Sequence, residues 1–220
     1  MWKDDMTQRP GLSRDAIVAA AARVADRGGL TAVSMRGVGK ELGVEAMSLY
    51  HHVAGKTELL DGLADWVFAQ IRLPDPAERW RPAMTQRAAS ARSVLAAHPW
   101  ALPLIESRRR PGPALLRHHD SVLGSLRRGG FSVDLAAQAF SVIDAYVYGF
   151  VLTEVTLPFD AGETAEAFVG DIDLPADTYP YLTEMMREMV IGADYAYGNE
   201  FDRGLDLILD QLDDRIHGHR

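Results

Sequence analysis

The residues with the most chemical potential in this 220-residue sequence lie near its start: Arg36, then Glu45, Ala46, Met47, Ser48, Tyr50, His51 and His52, then Lys56. Ser48 and Tyr50 can donate to phosphates or base edges, Ala46 and Met47 can touch a thymine methyl, and Arg36 and Lys56 suit phosphate or guanine. Their spacing is that of two short helices around a glycine turn at Gly43, with Val38, Leu42, Val44, Leu49 and Val53 left as the buried set. This predicts a helix-turn-helix over residues 34–52, whose second helix fits a major groove about 12 Å wide. The same spacing also suits a helical hairpin inside an ordinary bundle.

Elsewhere the chemistry is sparse. No cysteine is present, which excludes disulfide frameworks, thiolate nucleophiles and cysteine-based metal sites. His118 and His119 are adjacent, so they are expected to point to different sides of a helix rather than to one metal, and His217 and His219 fall in the tail. No nucleophile–base pair, metal-ligand spacing or phosphate loop is found. The expectation is therefore a protein that is not an enzyme and needs neither cofactor nor metal. The alternative is a helical small-molecule-binding protein or enzyme without DNA function, with Asp144, His118 or His119 in its pocket.

The elements that must position the first cluster are legible in the periodicity. Ser13 can cap a helix carrying Ile17, Ala20, Ala21, Val24 and Ala25 on one face, which Gly28 and Gly29 stop. Ser34 caps a second helix ending at Gly43, a third runs over residues 46–53, and a fourth from Lys56 carries Leu59, Leu63, Val67 and Phe68 toward Pro74. Further on, helical periods cover about residues 78–97, 111–128, 133–157, 179–197 and 199–216, joined by an acidic connection over 158–178 with at most a short helix. No period-two alternation is seen, so the fold should be all-α. The implied organisation is a helix-turn-helix domain at 1–55, a connecting helix at 56–73 and a larger helical domain at 74–220.

Taken alone, the net charge of −8 argues against nucleic acid, but its distribution matters more. Residues 1–73 hold nine Lys+Arg against nine Asp+Glu, and residues 74–220 hold fourteen against twenty-two. All three lysines, Lys3, Lys40 and Lys56, fall in the first part, whereas the Arg108-Arg109-Arg110 run of the body reads as a solvated loop. The charged start lacks a signal-peptide core and no apolar run approaches the roughly 18 residues of a membrane span, so a cytoplasmic location without membrane contact is expected.

Residues 12–71 resemble the DNA-binding domain of the tetracycline-repressor (TetR) family, in Leu49-Tyr50-His51-His52-Val53, in Lys56, and in Leu59-Leu60-Asp61 with Leu63-Ala64. The resemblance implies that Tyr50 and Lys56 hold phosphates, that Arg36, Ala46, Met47 and Ser48 read bases, and that His52 also contacts DNA. Gly39 stands where the family usually has alanine, which should loosen that helix by up to roughly 1 kcal/mol. Ala46 and Met47 differ from the tetracycline repressor itself.

The resemblance extends through Trp80, Gly130-Phe131-Ser132, Gly149 and Val151-Leu152. It implies a ligand-binding and dimerisation body, and hence a ligand-responsive repressor that binds a palindromic double-stranded operator as a homodimer and is released by a small-molecule effector. Phe201, Leu205, Ile208, Leu209, Leu212 and Ile216 form a stripe at a/d-like spacing that suits either a dimer seam or the subunit's own core. Where tetracycline-binding members hold a magnesium-bound drug, this sequence has Arg72, Arg87 and Leu104, poor partners for magnesium. The candidate effector set is Phe68, Arg72, Arg87, Trp100, Leu104, His119, Leu123, Phe140, Asp144 and Tyr148. Asp144 interrupts an apolar face one turn from Phe140 and Tyr148, and such a carboxylate needs a partner, either a ligand or one of the arginines.

Overall fold

The structure is a computed structural model that describes residues 12–105, 107, 110–158, 164–170, 172, 174–191 and 195–218. Lys3, Arg108, Arg109, Gly162 and His219 lie outside the described residues. Among the described residues every regular element is helical. Packing divides the chain into two compact units, Met1–Leu73 with Ser93–Val122, and Pro74–Arg92 with Leu123–Arg220.

In the first unit, α1 (Arg14–Ala32) begins where the Ser13 hydroxyl accepts from the Ala16 amide at 3.2 Å. Its path breaks at the predicted stop, since Gly28 (φ −146°) and Gly29 (φ +67°) leave helical geometry before one last turn. α2 (Met35–Leu42) starts on the Ser34 hydroxyl, which accepts from the Gly37 amide at 3.0 Å, and ends on left-handed Gly43 (φ +69°). α3 (Ala46–Leu49) and α4 (Lys56–Phe68) follow. α1 packs on α2 and α4, and α2 packs on α3. The α1–α4 approach is close, because a Cβ at Gly62 would lie 2.8 Å from Val18. Arg23 and Arg27 of α1 both pair with Glu41 of α2, the Arg23 Nε at 2.9 Å. Hydrogen bonds from Arg23 first, then Arg27, hold the Glu41 carboxyl below its ordinary value.

The same unit contains the end of α5 (Trp80–Ala97), a 3-10 turn at Pro99–Ala101, α6 (Leu102–Ile105) and the first half of α7 (Pro113–Arg128). Two carboxylates tie these to the head. Asp26 of α1 accepts from the Trp100 indole Nε1 at 2.6 Å and lies 2.7 Å from His98 Nδ1. Asp65 of α4 accepts from the Ala114 and Leu115 amides at 2.8 and 3.0 Å, capping α7 from another helix. A Cβ at Gly112 would come within 2.3 Å of that Asp65 carboxylate.

The second unit is built on α8 (Val133–Val155), with α9 (Ala165–Gly170), α10 (Pro180–Met189) and α11 (Glu200–His217), the last packed along α8. The Ser132 hydroxyl caps α8 through the Leu135 amide at 3.1 Å. Phe150, Phe201 and Tyr146 form an aromatic core over which the Arg92 guanidinium lies, paired to Glu154. Tyr146 donates to the Phe201 carbonyl at 2.8 Å, in space that a Cβ at Gly204 would invade.

One expectation is corrected in this unit. The helix predicted over 179–197 stops at Met189, and Tyr197–Asn199 is a 3-10 turn. The apolar residues that suggested continuation serve a small cluster instead, in which Val190 packs with Ala165 and Val169, flanked by Met186 and Tyr195. By length and composition α8 could cross a membrane, although Asp134, Asp144 and Glu154 interrupt it, so the expectation of no continuous apolar run of that length stands. Its composition reflects two apolar faces, one packed inward with Ile143, Val147 and Val151, the other outward with Val142 and Leu152.

Candidate nucleic-acid interface and effector site

The helix-turn-helix separates a buried scaffold from an open edge. Val38, Leu49 and Val53 are fully buried, joined by Met35, while Leu42 and Val44 are half-buried rather than fully enclosed. Outside stand Arg36 on α2, Glu45, Met47, Tyr50, His51 and His52 around α3, and Lys56 at the first position of α4, all exposed. Ala46 and Ser48 are half-buried. Met47 is 73% exposed, more than any other large apolar side chain described in this unit. Arg36, Lys40 and Lys56 make no ion pair among the described residues, so their charges are available to phosphates.

The third helix is shorter than residues 46–53. Regular α-geometry ends at Leu49, and turns continue through the His52 and Val53 amides, which both reach the Leu49 carbonyl at 2.9 and 3.0 Å. The buried Leu49 and Val53 force this tight wrap, because both must enter the same core from a short span that begins beside α2.

Gly39 also differs from its sequence reading. A Cβ there would sit 2.9 Å from the Val44 carbonyl and 3.2 Å from the Ala46 amide, so the glycine lets α2 meet the backbone that opens α3. That close approach opposes the gain in helix propensity that an alanine would bring.

The candidate effector residues fall in both units. In the first, Phe68 and Leu104 are buried, Arg72 is exposed, and the Trp100 indole is engaged by Asp26. His118 and His119 do not diverge as expected: both rings meet Phe68, with centroids at 5.3 and 6.0 Å. Consecutive helical positions differ by only about 100°, so one wide ring lying between them touches both.

In the second unit the structure brings together Arg87, Asp144 and Tyr148. Arg87 is 1% exposed and pairs with Asp144, which also accepts from the Tyr148 hydroxyl at 3.4 Å. The partner left open for Asp144 is thus Arg87. Phe140 and Leu123 are half-buried.

The C-terminal stripe divides. Phe201, Leu205, Leu209 and Leu212 are buried in their own unit, while Ile208 and Ile216 are half-buried. The outward apolar residue is Leu207, 75% exposed, which sequence spacing missed because it lies off the a/d pattern. With Leu135, Gln138, Val142, Ile208 and Gln211 it lines a groove of about 390 Å³ between α8 and α11. Asp26 and Asp65 were missed as well; their partners are remote in sequence, which residue spacing does not display.

Comparison with known proteins agrees with this arrangement. Residues 17–63 match the family described as bacterial regulatory proteins, tetR family, and residues 73–216 match the tetracyclin repressor-like C-terminal domain. An HTH-type transcriptional regulator of Saccharopolyspora erythraea is 37% identical over 176 residues, 79% of this chain and 75% of the relative. The HTH-type transcriptional repressor DrrR1 of Streptomyces coeruleorubidus is 32% identical over 221 residues, 93% of this chain and 78% of the relative. Among solved structures, ActR of Streptomyces coelicolor in complex with actinorhodin superposes with a TM-score of 0.78 at 27% identity, covering 93% of this chain and 97% of that one.

Proposed function

Because the chain belongs to the TetR family of bacterial transcriptional regulators, which are ligand-responsive DNA-binding repressors and not enzymes, we propose that it occupies a two-fold symmetric operator as a cytoplasmic homodimer and is released by a small effector. The observation that carries this reading is the head's division into a buried scaffold, Val38, Leu49 and Val53, and an exposed edge of Met47, Tyr50, His51, His52 and Lys56. A helix anchored from beneath and open above is what entry into a major groove requires. Tyr50 and Lys56 then hold phosphates with help from His51 and His52, while Arg36, Glu45, Ala46, Met47 and Ser48 face base edges.

Dimerisation is assigned to the outward face of α8 and α11, where Leu207, Val142 and Leu152 are 75%, 46% and 55% exposed. An apolar face of this kind is stable in water when a second copy covers it. Two recognition helices then meet half-sites about 34–36 Å apart.

ActR is solved in complex with actinorhodin, and the effector of this chain is proposed to be a small organic molecule with aromatic surface to lie against Phe140 and Tyr148. In the second unit Tyr148 bonds Asp144 and Phe140 lies one helical turn from it, so aromatic surface flanks the Arg87–Asp144 pair, whose charges already compensate one another. That compensation favours a neutral ligand over an anion. The effector acts only through its different affinities for DNA-fitting and misfitting states. The test is retardation of the chain's own upstream DNA at low salt, followed by release in a screen of such compounds. A protein that ignores that DNA ends the proposal.

A further inference from the structure

Met47 is the most exposed large apolar side chain described in the first unit, standing 73% open on the helix proposed to enter the groove. It is not a side chain on a loose segment. Leu49, one turn's edge away, is fully buried, and the close approach at Gly39 seats the first residue of α3 against α2. The polar neighbour Ser48 is half-buried, so the group α3 projects furthest has no hydrogen-bonding function beyond a weakly accepting thioether.

A major groove is lined by donors and acceptors, and its one apolar group is the C5 methyl of thymine, matched only by 5-methylcytosine. A side chain unable to satisfy amino, N7 or carbonyl edges pays desolvation beside them and gains only beside that methyl. Methionine's three flexible torsions and polarizable sulfur suit such a contact. Resting on the proposed placement of α3 in the major groove, we infer that Met47 reads the 5-methyl group of a thymine in the bound half-site. Ala46 beside it is half-buried and carries no more than a methyl, and the exposed Glu45 carboxylate disfavours an approach of α3 to phosphate in place of bases.

The experiment uses the full-length protein and a random duplex pool, from which bound sequences are enriched. In the winning duplex each thymine is replaced singly by deoxyuridine, which keeps every hydrogen bond and removes only the methyl. The expected result is one thymine per half-site at which deoxyuridine weakens binding about threefold to tenfold, the range of one buried methyl. Met47→Ala should bind the thymine and uracil duplexes equally while keeping the wild-type circular dichroism, and Tyr50→Ala should weaken both alike. Putting 5-methylcytosine at that position should restore more binding than cytosine does. A wild-type protein indifferent to deoxyuridine everywhere, or a Met47→Ala variant that keeps the full discrimination, overturns the inference alone. Failure of any duplex to enrich overturns the DNA placement on which it stands.

Discussion

Arg87 and Asp144 form a buried ion pair inside the second unit, the arginine 1% exposed and the aspartate 7%. Burial makes each charge depend on the other. Asp144→Ala should therefore cost about 3–5 kcal/mol, because it strands a guanidinium away from water. The double change Arg87→Met with Asp144→Leu should recover most of the loss. Urea unfolding of the three proteins checks both statements, and equal stability of the single and double variants would refute the coupling.

Gly39→Ala should destabilise the head although alanine is the better helix former. The added Cβ meets the Val44 carbonyl at 2.9 Å, and backbone must shift to admit it. Overpacking of this kind costs roughly 1–3 kcal/mol, more than the propensity gain of about 1. Thermal unfolding gives the sign, and DNA affinity should fall with it because α3 is displaced.

Glu41 is held below its ordinary value by Arg23 and Arg27, so its pairing stabilises the head when ionised. A depressed carboxyl contributes stability above its unfolded value, near pH 4 for a glutamate, and loses it as pH falls through the lower folded value. Glu41→Gln should thus unfold more readily than the parent at pH 7. The difference should shrink steadily below about pH 4. A gap that widens in acid would contradict the sign.

Lys56→Ala and Tyr50→Phe address phosphate anchoring. Lys56→Ala should weaken binding by a similar factor on every sequence and lower the slope of log affinity against log salt by about 0.9 per half-site. Tyr50→Phe removes only a hydroxyl, so it should lose affinity with little change in that slope. Fluorescence anisotropy across a salt series separates them.

Leu207→Glu should break the proposed dimer. A carboxylate at a position 75% exposed in the isolated chain leaves the fold intact but cannot be covered by a second apolar face. Sedimentation should show a monomer with unchanged helicity. Operator affinity should drop by about a hundredfold or more, since one head must bind without its twin.

Much of the head was legible because its determinants are local. The caps at Ser13 and Ser34 and the left-handed Gly43 are written in neighbouring residues, and the burial of Val38, Leu49 and Val53 follows from spacing. What spacing could not supply is contact across the chain. Asp26 meets Trp100, Asp65 caps α7, and Arg87 answers Asp144, each pair more than forty residues apart. The C-terminal stripe shows the same limit, since an a/d pattern marks a buried helix face without saying which body buries it. Leu207, off that pattern, is the residue left outside.

The inclusion of Ser93–Val122 in the same packed unit as Met1–Leu73 bears on transplantation. A chimeric regulator spliced at residue 73, the seam the sequence suggests, would import the reading helix but orphan Asp26 from His98 and Trp100, and Asp65 from the amides it caps. A cassette able to carry its DNA preference to a new host must bring residues 93–122 with it, so the transferable piece is discontinuous in the gene.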